Sequence, residues 1–521
     1  MRGVLLLGAF ALLAAPARAG YDDAPAGLVQ SSATLAHVRA IYDRAHAREY
    51  SRNLTIIEDW RLFQNGTVGA YRVYRLGRDE REITTLGPLV YEKGVLHGIH
   101  WEHNRNGITY TYPGVHEARD AATERALRDP TDDRDVRVVG DSLALNAYVV
   151  EVNPPAGRRT WYFIDKRSGF VLRRESVQRH RRFVTTYDDY RIVDGVGEPS
   201  RIRTVDSLGN EREQILVGRT FDQTPDSRDV EMPPSRHLVE FPEQRGAVRF
   251  PLRIINGLPV VRVMVGHGAY DFLLDSGAAG IVVDPSVVDQ QNLERYGRRI
   301  GATLGSFPET STIVPQMSVG TLRMRNVVAR VVGVPFHIDN RTRLAGMLGF
   351  DFFADAVVHI DLAQRVAEAY PPERFRAPVD TVAIPLGLDD KTPAVHVHAG
   401  SASARVVLDS GANRSIFESG YADRADFGGE RSTTMTRVRG VGGYARAETE
   451  RVPVIALAGI DMRNAAVDVT NADLGSDDLD GIVGTDLLRS YDLWFDYKTN
   501  AVYVRRTPPP GPPPTAQAHK R

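Results

Sequence analysis

Two aspartates, Asp275 and Asp409, stand in identical settings, Asp275-Ser276-Gly277-Ala278 and Asp409-Ser410-Gly411-Ala412, at a spacing of 134 residues. Each follows an apolar run, Phe272-Leu273-Leu274 in one case and Val406-Val407-Leu408 in the other. Hydrolysis of an amide by water needs a base to deprotonate the water and an acid to protonate the carbonyl oxygen or the leaving nitrogen. Two carboxyls a few ångströms apart supply both, because they cannot ionise together comfortably and so share a proton. Gly277 and Gly411 are expected to let the backbone turn tightly, bringing its N–H groups to the carboxylates. A lone Asp-Ser-Gly is a common turn tripeptide. Two copies at one offset, each behind an apolar strand, are a different matter.

The offset extends well beyond the aspartates. Pro259 aligns with Pro393, Val261 with Val395, Val263 with Val397 and Gly266 with Gly400. Further on the spacing lengthens: Met324-Arg325-Asn326 has its twin in Met462-Arg463-Asn464, and at an offset of 135 Met347-Leu348-Gly349 meets Ile482-Val483-Gly484 and Asp361 meets Asp496. One unit is used twice. Each copy runs strand, turn, apolar strand, Asp-Ser-Gly-Ala, a helix start at Asp284-Pro285 or Glu418-Ser419, and finally apolar–apolar–Gly before a short helix.

This order of parts resembles the retropepsin-like family of aspartic proteases over most of residues 245–505. The resemblance implies that Asp275 and Asp409 are the catalytic pair and that Ser276 and Ser410 hydrogen-bond across to the opposite lobe. It also implies close packing at Gly349 and Gly484 beneath the catalytic loops, and hairpin flaps over the substrate. Arg439 to Tyr444, with Gly442, Gly443 and Tyr444, matches the second flap tip; Leu304 to Phe307 is the less regular candidate in the first. Viral members carry Arg after the apolar–apolar–Gly, where this chain has Phe350 and Thr485. Ala279-Gly280 in one copy faces Asn413-Arg414 in the other, so the pocket is expected to be asymmetric.

The rest of the chain must position this pair. At 521 residues it has room for two to four domains at ~100–200 residues each. Residues 1–19 read as a secretory signal peptide: Arg2, an apolar run from Val4 to Ala15, and Ala17-Arg18-Ala19 as the cleavage site. The mature chain is therefore expected to be exported, periplasmic or secreted, without a membrane span. Residues 20–235 read as a β-rich domain, with a helix from Ser32 to Glu49 behind a serine cap, then antiparallel strands broken by a loop from Arg128 to Asp141. The strand–turn texture of 161–203 resembles the half-open barrels of periplasmic lipoprotein carriers and their relatives. Asp222 to Arg236 reads as a linker, and lobes follow at 245–372 and 380–506, joined by a short link from Pro371 to Asp380. Residues 507–521 read as a proline-rich disordered tail. The expected fold is thus mainly β, two tandem β-barrel lobes behind a curved sheet.

Charge is balanced, 65 basic against 66 acidic residues, which gives no sign of a nucleic-acid partner. The chain has no cysteine, so neither thiolate chemistry nor a disulfide is available. His97, His100 and His103 invite a metal reading, but on a strand that spacing alternates faces. Asp473 to Asp480 lacks the ligand spacing of a calcium loop and is expected to be a solvated acidic loop. No cofactor or metal is expected. The expected activity is an aspartic endopeptidase acting on peptide or protein, with the lobes pairing within one chain as a monomer and pairing between two chains left open as the alternative. The alternatives are a peptide- or lipoprotein-binding carrier or sensor without turnover, and a removable inhibitory role for the N-terminal domain.

Overall fold

The structure is a computed structural model that describes residues 24–46, 55–129, 134–178, 181–193, 196–221, 226–242, 246–334, 337, 343–427, 435–476 and 478–507. The expected signal peptide, and the expected tail apart from Thr507, lie outside the described residues. The fold is mainly β, and its contacts divide into two units. One takes residues 1–50, 117–187 and 192–197, the other 51–116, 188–191 and 198–521.

In the first unit the helix Leu35–His46 begins three residues later than the sequence suggests, its cap is Thr34 instead of Ser32, and residues 47–49 of the expected helix lie outside the described residues. The Thr34 hydroxyl accepts the His37 N–H at 3.2 Å. A second helix, Val115–Arg128, escapes a periodicity reading because it buries only Thr123 and Leu127. The presumed loop of Arg128 to Asp141 also needs correction. Val136–Ser142 is a strand paired with Ala147–Val152, and the surrounding Asp and Arg residues hide its buried Val136 and Ser142. Strands Thr160–Asp165 and Val171–Gln178 continue the meander. Val38, Tyr42 and Leu127 pack on Val150, Val152, Tyr162 and Ile164. The Arg39 guanidinium donates to the carbonyls of Leu127 (2.9 Å) and Ala126 (3.2 Å), satisfying the end of the second helix.

The second unit holds an antiparallel sheet and both repeat copies. The sheet runs Thr109–Tyr112, Ile99–His103, Leu89–Leu96, Asp79–Leu86, Thr67–Leu76, Ile56–Gln64 and Glu211–Phe221, each strand beside the next. The repeat in sequence is a repeat in topology. In the first lobe the order is Leu322–Val332, Val282–Val283, Gly346–Leu348, Gly268–Leu274, Leu258–Val265. In the second it is Ile460–Thr470, Ile416–Glu418, Gly481–Val483, Ala402–Leu408, Thr392–Ala399. Each short central strand lies parallel to the strand that carries the aspartate, pairing Phe272 with Gly346 and Val406 with Gly481.

A further sheet joins the lobes. Val357–Asp361 of the first pairs antiparallel with Tyr491–Asp496 of the second, setting His359 opposite Trp494. Those rings stack at 4.0 Å with 2° between their planes. The link from Pro371 to Asp380 buries Phe375 beside Val357 and Trp494, so it is packed against this joint.

Candidate active site

Asp275 and Asp409 each begin the turn that follows their strand. The Asp275 N–H donates to the Leu348 carbonyl (3.0 Å) and the Asp409 N–H to the Val483 carbonyl (2.9 Å), fixing each to its own central strand. Each carboxylate accepts the N–H two residues on, Gly277 to Asp275 at 2.9 Å and Gly411 to Asp409 at 2.7 Å. The reason for glycine differs from the one anticipated. Neither residue adopts a positive φ. Instead, a Cβ on Gly277 would collide with the Asp409 carboxylate, and one on Gly411 with that of Asp275. Each turn therefore presses its glycine against the opposite aspartate.

Ser276 and Ser410 lock the two turns together. The Ser276 hydroxyl donates to the Leu408 carbonyl (2.7 Å) while accepting the Ser410 N–H (3.0 Å). The Ser410 hydroxyl donates to the Leu274 carbonyl (2.8 Å) and accepts the Ser276 N–H (2.9 Å). Both serines are buried, so these four bonds have no water to compete with them.

Burial raises both aspartates above the ordinary carboxylate range, and for Asp275 the adjacent Asp409 charge adds to the effect. The N–H groups of Gly277 and Gly411 pull in the opposite direction, stabilising the ionised form. The two carboxyls face each other across the turns, each pressed against the glycine of the other. They titrate as a unit that retains a proton where an isolated carboxylate has lost it.

Beneath the turns, the N–H of Phe350 donates to the Ala278 carbonyl (2.9 Å) and that of Thr485 to the Ala412 carbonyl (2.8 Å). A Cβ on Gly349 or Gly484 would strike these loop carbonyls, so the close packing expected there is present. In place of an arginine, Phe350 packs edge-on to Tyr110 (4.8 Å) and Tyr497 (5.5 Å). Arg414, aligned with Gly280, ion-pairs with Asp468 at 2.6 Å, a contact the first lobe cannot copy.

Residues 261–352 and 395–487 each match the family model described as aspartyl protease. Both lobes are thus similar to the aspartyl protease family. The similar solved structures include an aspartic proteinase from Irpex lacteus, 13% identical, covering 50% of this chain and 97% of that one with a TM-score of 0.32. They also include a domain named for outer membrane lipoprotein sorting, from Vibrio parahaemolyticus, 10% identical, covering 38% of this chain and 95% of that one with a TM-score of 0.27. No curated protein is recognisably similar in sequence.

Each lobe carries a hairpin where a flap was expected. Tyr296–Ala302 and Ser306–Val319 form the first, Met435–Gly440 and Gly443–Leu457 the second. Their tips meet. The Gly442 N–H donates to the Thr303 carbonyl at 3.3 Å, and Gly305 and Gly442 approach so closely that a Cβ on either would strike the other's carbonyl. The tips also exchange apolar residues. Leu304 packs with Ile416, Val438, Ala447 and Leu474 of the second lobe, while Val441 and Phe307 pack on a first-lobe cluster that includes Ala278. Gly443 turns the strand at φ +146°, and Tyr444 is 63% exposed with Arg439 over its ring at 5.5 Å. Leu304 carries no chemistry of its own, and only its place between the strands marked it.

In the acidic segment Asp473 to Asp480 the described aspartates Asp473, Asp478 and Asp480 stay part-exposed, while its leucines anchor it. Leu474 and Leu479 are buried, Asp480 accepts the Arg405 N–H (2.9 Å), and the Asp473 carbonyl accepts the Leu304 N–H (3.3 Å). His97 lies in a turn at φ +52°, while His100 and His103 lie on the strand Ile99–His103. Among the described residues, no three or more His, Asp or Glu side chains are grouped to hold a metal ion.

Proposed function

We propose that this chain is an exported aspartic endopeptidase that hydrolyses peptide bonds with a water activated between Asp275 and Asp409. One observation carries the reading: two buried carboxyls, each packed against the other's turn, are held by matched N–H groups and by a serine lock that joins the lobes. The ionised member of the pair takes a proton from the water as it attacks the peptide carbonyl. The protonated member gives its proton to the carbonyl oxygen, forming a neutral tetrahedral diol. Breakdown returns a proton to the leaving nitrogen, and the pair again holds one proton. The met flap tips support a site that opens to admit an extended peptide and closes to exclude water.

Export is supported by the character of residues 1–19. No helix among the described residues is long and apolar enough to cross a membrane. The test is cleavage of unfolded protein by the mature chain between about pH 3 and 7, spanning the range of perturbed carboxyls. A bell-shaped dependence of kcat/KM is expected. Absence of cleavage throughout that range would leave the proposal without support.

A further inference from the structure

The two lobes meet one packing requirement in different ways. In the second, Asp486 follows Gly484 by two residues and accepts the N–H (3.0 Å) and hydroxyl (2.6 Å) of Ser415. In the first, Asp351 holds the same place after Gly349 and accepts the Ile281 N–H at 2.9 Å. Ile281 aligns with Ser415 but has no hydroxyl, so one donor is missing from the repeat. It comes from the antiparallel sheet outside the repeat, where the Asn104 amide nitrogen donates to Asp351 Oδ1 at 2.9 Å.

Asn104 is held in this orientation. Its oxygen accepts the N–H groups of Asn106 (2.9 Å) and Ile108 (3.1 Å), which leaves the amide NH2 to face Asp351. The hairpin is anchored on the same lobe by Asn106, which accepts the Val328 N–H (2.7 Å) and donates to the Val328 carbonyl (2.9 Å). It reaches the second lobe as well, where Glu102 ion-pairs with Lys391 at 2.7 Å. Lys391 sits at φ +75°, where its repeat counterpart is Gly257 at φ +82°. A side chain in that left-handed turn is unfavourable. The repeat departs from glycine at the residue that meets the hairpin.

We infer that the hairpin around Asn104 is a built-in part of the catalytic lobes, and that Asn104 is a positioning residue supplying the hydrogen bond the first lobe lost. Asp351 joins the loop after Asp275, at Ile281, to the short helix Phe350–Ala354, whose first N–H supports Ala278. Asn104 thus acts on the Asp275 turn through Asp351. The segment is a component of the enzyme and not a removable inhibitor, an inference that rests on the protease reading for its activity measurement.

The test compares the full chain with Asn104→Ala, Ile281→Thr and the double variant, by melting temperature and by kcat/KM for peptide cleavage. Asn104→Ala is expected to lower the melting temperature and reduce kcat/KM by ~10-fold or more, since it misplaces a catalytic turn. Ile281→Thr restores a hydroxyl at the position of Ser415. In the Asn104→Ala background it should recover about 5-fold in kcat/KM, together with part of the lost melting temperature. Additive effects in both measurements would overturn the inference. If Asn104→Ala folds poorly, Asn104→Asp keeps the turn acceptor and replaces only the donor. Its melting temperature should approach the wild-type value near pH 4 and fall below it by about pH 7, as the facing carboxyls lose their shared proton. A deficit independent of pH would overturn the inference. Coupling in melting temperature from a chain that cleaves nothing would remove the protease reading and leave this inference standing. A cleaving enzyme indifferent to Asn104→Ala would do the reverse.

Discussion

Removing one serine hydroxyl from the lock between the lobes tests whether the two aspartate turns depend on each other as the geometry requires. Ser276→Ala deletes a donor to the Leu408 carbonyl and an acceptor for the Ser410 N–H, at 2.7 and 3.0 Å. The site is closed to water, so both backbone groups lose a partner. A buried polar group left unpaired costs about 1–3 kcal/mol, which puts the substitution at roughly 2–5 kcal/mol. Ser410→Ala leaves the Leu274 carbonyl and the Ser276 N–H in the same condition, so its cost should match within about 1 kcal/mol. Urea unfolding followed by tryptophan fluorescence measures both, read from the midpoint at unchanged slope. A cost below about 1 kcal/mol at either serine would refute the reasoning, because it would mean that water or a neighbour already satisfies the exposed groups.

Three further outcomes follow from named contacts. The aspartate pair has folded pKa values raised above those of the unfolded chain, so its contribution to stability is full at low pH and is lost as pH rises through the raised values. Asp275→Asn should therefore be more stable than wild type at about pH 7 and nearly equal to it at about pH 3; a variant destabilised at neutral pH contradicts this. Lys391→Met removes the ion pair with Glu102 and should cost about 1–3 kcal/mol, whereas Lys391→Gly also relieves the left-handed turn and should cost about 1 kcal/mol less. Equal costs in urea unfolding would show that the turn is unstrained. Gly442→Ala pushes a methyl group into the carbonyls of Gly305 and Thr303. It should reduce kcat/KM about 10-fold while barely moving the melting temperature, and unchanged kinetics would mean that the tips need not meet in turnover.

The lobes were legible because each aspartate is embedded in a duplicated pattern, and duplication makes a two-fold arrangement readable without any knowledge of contacts. The same pattern located Gly349 and Gly484, whose close approach to the loops follows from their place after two apolar residues. What the repeat does not contain was invisible. Asn104 acts across 247 residues of chain on Asp351, and Asn-Arg-Asn-Gly reads locally as a turn and nothing more. The helix Val115–Arg128 lacked an apolar stripe because it buries so little. The strand Val136–Ser142 was obscured by the charged residues around it in sequence, of which Arg134 and Arg137 are exposed. The anchoring of the acidic run Asp473 to Asp480 was not legible because its partners, Arg405 and Leu304, are remote in sequence.

Cleavage of a mixed peptide library by the mature wild-type chain, beside Asp275→Asn and Asp409→Asn, bears most directly on a paired-aspartate hydrolase. Each variant leaves one carboxyl in place and keeps the size of the side chain, so the fold should persist while the shared proton is lost. The wild type should cleave, and each variant should lose at least ~100-fold in kcat/KM, in line with the loss of general acid–base catalysis. Cleavage that persists at the wild-type rate in either variant would contradict the account.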